Sequence, residues 1–261
     1  VNTDSKIMLW MLDEYEKTIG RKSPATFTGK PVEAGGSLGR TEATGRGGVI
    51  VMENLLKNLN KDYKTIAIQG FGNVGYYFSK IAFEKNYKIV AISDSKGGIY
   101  NENGLNPEEV MKIKKETNKV TDFKKGKIIS NEKLLELKVD ILVPAALENV
   151  ISQKNANKIK AKVIIEMANS PVTEETYPIL EKRGIKIVPD ILANAGGVIV
   201  SYFEWLQNKK NEKWSEEKVN QKLEEKLKES FKEIFEVSSD FKTNLKEAAF
   251  ISALLKITKK I

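Results

Sequence analysis

Thr65-Ile-Ala-Ile-Gln-Gly70-Phe-Gly72-Asn-Val-Gly75 is the stretch that decides the fold. Residues 65–69 form a short apolar run with β-branched members, the composition of a buried strand. Three glycines follow at the spacing G-x-G-x-x-G, and helical periodicity takes over from Val74 to Glu84. A lone G-x-G-x-x-G is weak evidence; placed between a strand and a helix it is the fingerprint of a turn that cradles a pyrophosphate. Gly70 permits the tight turn, Gly72 lets the backbone from Phe71 through Asn73 and Val74 approach phosphate oxygens, and Gly75 lets helix and strand pack closely. The helix N-terminus adds partial positive charge, so the phosphates need no lysine there.

The next strand, expected at 89–93, leads to Asp94, 19 residues beyond Gly75. An acid at that distance is placed to accept hydrogen bonds from the adenosine ribose and to repel a 2′-phosphate. NAD is therefore the expected cofactor and NADP the less favoured one, with Lys96 two residues on as a partial counter-charge.

Further runs of the same kind, at 140–143, 163–166 and 185–188, alternate with helical stretches signalled by the N-cap candidates Asn106, Ser130 and Thr173. Strands alternating with helices predict an α/β fold, a Rossmann-like, doubly wound, mostly parallel sheet. Upstream, residues 4–19 carry Met8, Met11 or Leu12, Tyr15 and Ile19 at helical spacing, and a second helix over 41–59 is broken by Gly45, Gly47 and Gly48. After Pro189 the strands stop, and helices are expected over 195–208, 215–237 and 244–259. The expected organisation is a dinucleotide-binding domain over 1–208 followed by a C-terminal helical segment over 209–261.

Composition removes several classes of chemistry. With no Cys and no His there is no thiolate, no imidazole base, no Ser-His-Asp triad and no His- or Cys-ligated metal, so acid–base work falls to Asp, Glu, Lys or Tyr. The net charge of +8 does not predict a nucleic-acid platform, because between Asn208 and Lys232 the lysines alternate with glutamates as on a solvated helix face. No apolar run approaches the roughly 20 residues of a membrane helix, and a cytoplasmic location is the default expectation. The first residue is Val1 and not Met, as expected of a chain that was processed, cut or begun internally.

Six ordered segments resemble the glutamate dehydrogenase family: Thr28-Gly-Lys-Pro-Val32, Gly35-Gly-Ser-Leu-Gly-Arg-Thr-Glu-Ala-Thr-Gly45, Gln69-Gly-Phe-Gly-Asn-Val-Gly75, Asp140-Ile-Leu-Val-Pro-Ala-Ala-Leu-Glu148, Ala168-Asn-Ser-Pro171 and the run from Pro189 to Glu204. The resemblance covers essentially the whole chain and implies roles at the matching positions. Thr44 is expected to hydrogen-bond the nicotinamide carboxamide, with Arg40 supporting that corner. Ala145 and Ala146 would pass close to the cofactor ribose, Asn169 would reach the nicotinamide ribose, and Asn194 the carboxamide. Val198 and Ser201 match the amino-acid pocket, where Ser201 would hydrogen-bond the γ-carboxylate of glutamate and relatives acting on leucine, valine or phenylalanine carry an apolar residue.

The resemblance also implies the reaction, a reversible hydride transfer from L-glutamate to NAD that yields 2-oxoglutarate and ammonia, in a homo-oligomer expected to be a hexamer. Family members carry their substrate lysines and an essential Asp ahead of the segment matching Val1-Asn-Thr, so no catalytic residue is expected within this chain. Two other readings stay open at this stage: a leucine, valine or phenylalanine dehydrogenase of the same family, and a dinucleotide-binding module without turnover.

Overall fold

The computed structural model describes residues 3–258, so Val1, Asn2 and the last residue of the helix expected over 244–259 lie outside the described residues. Helix α1 (Ser5–Ile19) begins at Asp4, whose carboxylate accepts from the Ile7 N–H, and ends at Gly20 in the left-handed conformation. Of its predicted apolar stripe only Leu12 is buried. Helix α2 (Ala43–Asn58) is continuous through its three glycines and is mostly buried.

The rest of the chain alternates as the apolar pattern requires: β1 (Thr65–Gln69), α3 (Asn73–Glu84), β2 (Lys88–Asp94), β3 (Gly97–Tyr100), α4 (Pro107–Thr117), β4 (Lys127–Ile129), α5 (Asn131–Leu135), β5 (Ile141–Pro144), β6 (Val163–Ile165), α6 (Tyr177–Lys182), β7 (Lys186–Val188), α7 (Asp190–Ala193), α8 (Gly196–Lys210), α9 (Glu216–Asp240) and α10 (Leu245–Thr258). Asn106 and Ser130 cap α4 and α5 through their side chains, whereas Thr173 opens a short 3-10 turn ahead of α6.

The seven strands form one sheet in the order β4-β3-β2-β1-β5-β6-β7. The β2-β1-β5-β6-β7 portion is parallel, and β3 and β4 extend it antiparallel beyond β2. Those two strands carry little apolar signal: β3 starts with two glycines, and β4 has Lys127 and Ile128 exposed at the sheet edge. A tight turn, in which Asp94 pairs with Gly97, folds β3 straight back onto β2.

Both sheet faces are covered, as parallel strands require. Ile66 and Ile68 of β1 point into a large core with α2, α3, α8 and α9, and Ala67 points into a second core with α5 and α6. Val219, Leu223, Leu227 and Phe231, spaced every four residues along α9, are buried in that larger core. Among the described residues no helix is long and apolar enough to cross a membrane.

At the amino ends of the strands, the Asp140 carboxylate accepts from the Lys64 and Thr65 N–H groups, from the Thr65 hydroxyl (2.8 Å) and from Lys162 Nζ (2.8 Å). Partial burial pushes this carboxyl upward, but the four hydrogen bonds outweigh it and hold it down at about 2. The clamp pins β5 against β1 at the register Ile66 to Ile141.

The glycines of α2 exist for close approach. A Cβ on Gly45 would fall 2.5 Å from the Phe78 nitrogen in α3, and one on Gly196 at the start of α8 would fall 2.1 Å from the Ala43 carbonyl oxygen. Gly45→Ala gains about 1 kcal/mol of helix propensity but must displace the backbone of α3, an overpacking cost at the upper end of about 1–3 kcal/mol or beyond because the atom met is backbone, so the clash wins. Thermal unfolding followed by circular dichroism should show Gly45→Ala less stable by about 2 kcal/mol; a stabilised variant would mean that α2 and α3 do not approach this closely.

Candidate functional site

The chain leaves β1 toward β2 on one side and later enters β5 on the other, so the carboxyl ends of β1 and β5 open the crevice at which doubly wound sheets bind ligands. Two turns meet there. Gly70 has φ 99° and donates to the Ser93 carbonyl, and the Ala145 N–H donates to the Gln69 carbonyl at 2.7 Å. A Cβ on Gly70 would lie 2.5 Å from the Ala146 Cβ, and one on Gly75 would lie 1.9 Å from the Gly70 oxygen. Both positions are therefore closed to any side chain. Gly72 is different, since a Cβ there would meet nothing within 4 Å among the described residues.

Among the described residues no side chain caps α3, which leaves its first-turn N–H groups directed at that open face. An open glycine face, uncapped donors and the positive end of a helix dipole together fit a pyrophosphate. Of the other turn residues, Phe71 is buried with its ring edge-on to Tyr76, and Val74 packs partly into the core, so each offers only backbone to the crevice. Asn73 donates from Nδ2 to the Thr41 carbonyl at 2.8 Å, tying the turn to the loop ahead of α2.

Asp94 ends β2 and is 8% exposed. Its Oδ1 accepts from the Lys96 N–H (2.8 Å) and its Oδ2 from the Val120 N–H (2.9 Å), which fixes the carboxylate and leaves each oxygen a further lone pair. Lys96 thus supports Asp94 through its backbone. The ammonium nearby belongs to Lys114 of α4, whose Nζ stands 3.8 Å from Asp94 Oδ2 and donates to the Phe71 carbonyl at 2.8 Å. Four lysines lie between residues 112 and 119, and no spacing rule singles this one out.

The other sequence-predicted residues meet in two pairs. Asn194, just past α7, donates from Nδ2 to Asn169 Oδ1 at 2.8 Å. Arg40 donates from Nε to Ser201 Oγ of α8 at 2.9 Å. Thr44 stands at the same corner, because a Cβ on Gly197 would lie 2.5 Å from Thr44 Oγ1 and 3.5 Å from Arg40 Nη1. Val198 is 73% exposed on that side of α8. Burial pulls the Arg40 guanidinium below its ordinary range, with the Glu204 charge opposing.

Two buried acids lie beneath this surface, and the sequence had given neither a role, although Glu204 closes the last of the resembling segments. Glu204, one helical turn beyond Ser201, pairs with Lys30 at 2.6 Å with both side chains fully buried, and it also accepts from the Gly29 N–H. This pair holds the loop ahead of Arg40 against α8. Glu166 follows β6 directly and is fully buried; its Oε2 accepts from the Tyr177 hydroxyl (2.6 Å) and the Asp190 N–H (3.0 Å), and its Oε1 has no partner among the described residues. It joins the segment carrying Asn169 to the start of α7, whose far end carries Asn194. An acid closing an otherwise apolar strand, Val163-Ile-Ile-Glu166, was the available clue.

The architecture is Rossmann-like, and it is shared with solved enzymes. The hetero-hexameric glutamate dehydrogenase of Thermus thermophilus in its Leu bound form superposes with a TM-score of 0.95 at 29% identity, over 100% of this chain and 62% of that one. The glutamate dehydrogenase of Thermotoga maritima is 47% identical over 97% of this chain and 62% of the relative. The NADP-specific glutamate dehydrogenase of Synechocystis is 42% identical over 99% of this chain and 63% of the relative. Residues 35–261 match the Glutamate/Leucine/Phenylalanine/Valine dehydrogenase family, and the chain belongs to it. It spans less than two thirds of the length of each of these relatives.

Burial raises the Glu166 carboxyl from 4.5 to about 7, against the opposing hydrogen bonds from Tyr177 and Asp190. The folded protein therefore holds a proton there that the unfolded chain releases near pH 4.5, so this group favours folding at low pH and the advantage is lost as pH rises to about 7. Both partners of Oε2 are donors, which a Gln carbonyl oxygen satisfies equally. Relative to Glu166→Gln, the wild type should lose on the order of 3 kcal/mol between pH 5 and pH 8 in urea unfolding. A pH-independent difference between the two proteins would refute the assignment.

Proposed function

We propose that this chain is the dinucleotide-binding part of a glutamate dehydrogenase that prefers NAD to NADP. The observation that carries the reading is the open face of Gly72 over the uncapped start of α3, at the switch point and beside a fixed acid. The pyrophosphate would rest on the N–H groups between Phe71 and Gly75, and the free lone pairs of Asp94 would accept from the adenosine ribose hydroxyls. Ala145 and Ala146 keep the second turn low enough for the dinucleotide to cross.

At the other end, the linked amides of Asn169 and Asn194 face the nicotinamide ribose and carboxamide, and Thr44 supplies a hydroxyl for the same carboxamide. When bound, the dinucleotide supplies the acceptor for the substrate's hydride. The chain's own residues position the reactants and recognise the substrate.

Arg40 and Ser201 argue for glutamate. A partly desolvated guanidinium and a hydroxyl 2.9 Å apart make a site for a carboxylate, and an apolar substrate side chain in the carboxylate's place would desolvate the remaining guanidinium donors without pairing them. This disfavours leucine, valine or phenylalanine as substrate, with Val198 lining the same pocket. The lysines that activate glutamate would lie outside this chain, so the products 2-oxoglutarate and ammonia require the complete protein. That protein would be a cytoplasmic hexamer that binds neither nucleic acid nor membrane.

Calorimetric titration tests the cofactor half. NADH should bind more tightly than NADPH, and Asp94→Ala should narrow the difference, because the repulsion of the 2′-phosphate goes with the carboxylate. Absence of NADH binding would refute the reading. For the substrate half, the chain joined to the portion of the Thermotoga maritima relative that it does not span should oxidise glutamate at least about a hundredfold more efficiently than leucine; preference for leucine would overturn the assignment.

A further inference from the structure

We infer that Glu166 and Asp190 are positioning residues for the nicotinamide half of the dinucleotide, bracing the segments 166–170 and 190–194 against each other so that the Asn169 and Asn194 amides meet. The inference rests on the dinucleotide reading above and deepens it, because it makes the grip on the nicotinamide half depend on a proton held beneath it.

Side-chain hydrogen bonds join the two segments like rungs. Glu166 Oε2 accepts from the Asp190 N–H at 3.0 Å. The Asp190 carboxylate answers in the other direction, its Oδ2 accepting from the Ser170 N–H at 2.8 Å. At the crevice, Asn194 Nδ2 donates to Asn169 Oδ1 at 2.8 Å. Ser170 depends on its rung, because its φ of 44° is a left-handed conformation uncommon for a residue with a side chain. Asn169 directly precedes it, and the Asn194 N–H donates to the Asp190 carbonyl at 2.9 Å. A shift at either acid is therefore passed to both amides.

The two acids differ in their surroundings. Asp190 is partly exposed and its Oδ1 accepts from the Ile191 N–H, whereas Glu166 is fully buried and its Oε1 has no partner among the described residues. The other groups around Glu166 are the Tyr177 hydroxyl of α6, with Glu181 on the same helix, and Lys246 of α10, whose Nζ stands 4.7 Å from the centre of the Tyr177 ring. Burial and the Asp190 charge push the Glu166 carboxyl up to about 7 against its two hydrogen bonds and the Lys246 charge. Burial and the Glu166 charge push the Tyr177 phenol up as well, so it stays a donor. Ionising Glu166 places a second negative charge beside Asp190, with one oxygen lacking a donor. Entry of water or separation of the segments relieves that cost, and either one loosens the Asn169–Asn194 rung. The neutral acid is the form that suits the nicotinamide half, so by linkage NADH affinity is greatest below pH 7 and falls as pH rises through it.

Calorimetric titration between pH 6 and pH 9 tests this with two probes, NADH and the β-methyl ester of ADP, which keeps the adenosine and pyrophosphate but lacks the nicotinamide half. The chain has no His and no Cys, so neither an imidazole nor a thiol titrates across that range. Wild-type affinity for NADH should fall about tenfold from pH 6 to pH 9, the change that a one-unit rise of the Glu166 pKa in the complex produces, while affinity for the ester stays within about twofold. Glu166→Gln should bind NADH with a flat profile. Tyr177→Phe, which removes a donor that favours the charged carboxyl, should move the midpoint of the loss to higher pH. A flat wild-type profile for NADH, an equal fall for both probes, a fall that persists in Glu166→Gln or an unmoved midpoint in Tyr177→Phe would each overturn the inference. Failure of NADH to bind even at pH 6 would remove the dinucleotide reading itself, whereas binding without pH dependence removes only the brace.

Discussion

The backbone of Gly75 lies so close to the Gly70 carbonyl that a single added carbon would come within 1.9 Å of it. That approach brings the first turn of α3 down onto the end of β1 and aims its uncapped N–H groups into the crevice between β1 and β5. The neighbouring turn closes on the same point, because Gly70 and Ala146 leave no room between them for a side chain. Two side chains attach the turn to its surroundings: Asn73 ties it to the loop before α2, and Lys114 ties it to α4 and Asp94.

A second layer of support comes from buried polar groups that never reach the crevice. The Lys30–Glu204 pair sits without solvent contact under the Arg40–Ser201 pair, and such pairs are poor sources of net stability because desolvating two ions offsets most of their attraction. Its evident consequence is positional, since Glu204 gathers the Gly29 and Lys30 N–H groups as well as the Lys30 ammonium onto one face of α8. Glu166 does the same for the segments carrying Asn169 and Asn194, at the cost of one unpartnered oxygen.

The strand, glycine turn and helix at 65–84 could be read directly because three independent signals agree there: apolar run, glycine spacing and helical period. The parallel strands were equally legible, because burial on both faces leaves continuous apolar runs such as Ile141-Leu-Val143. The strands β3 and β4 were not, because Gly97-Gly-Ile-Tyr100 and Lys127-Ile-Ile129 are too short to show alternation and hold only two apolar residues in succession each. Gly45, Gly47 and Gly48 suggested a broken helix, whereas they mark where α2 touches α3, Met167 and α8, a tertiary fact that propensity cannot carry. Asp94 was visible from spacing, but its partner Lys114 was not, because the charge that modifies it comes from another helix. Arg40 and Ser201 were each singled out by resemblance, and only the fold made them a pair.

The central claim is that the crevice above Gly72 holds the pyrophosphate of a nicotinamide dinucleotide with its adenosine toward Asp94. A crystal structure of the chain soaked with NADH addresses it most directly. The account predicts phosphate oxygens within hydrogen-bond distance of the first N–H groups of α3 and the adenosine ribose on the Asp94 carboxylate. A dinucleotide bound elsewhere on the molecule, or side chains folded into the Gly70–Gly75 turn in its place, would contradict it.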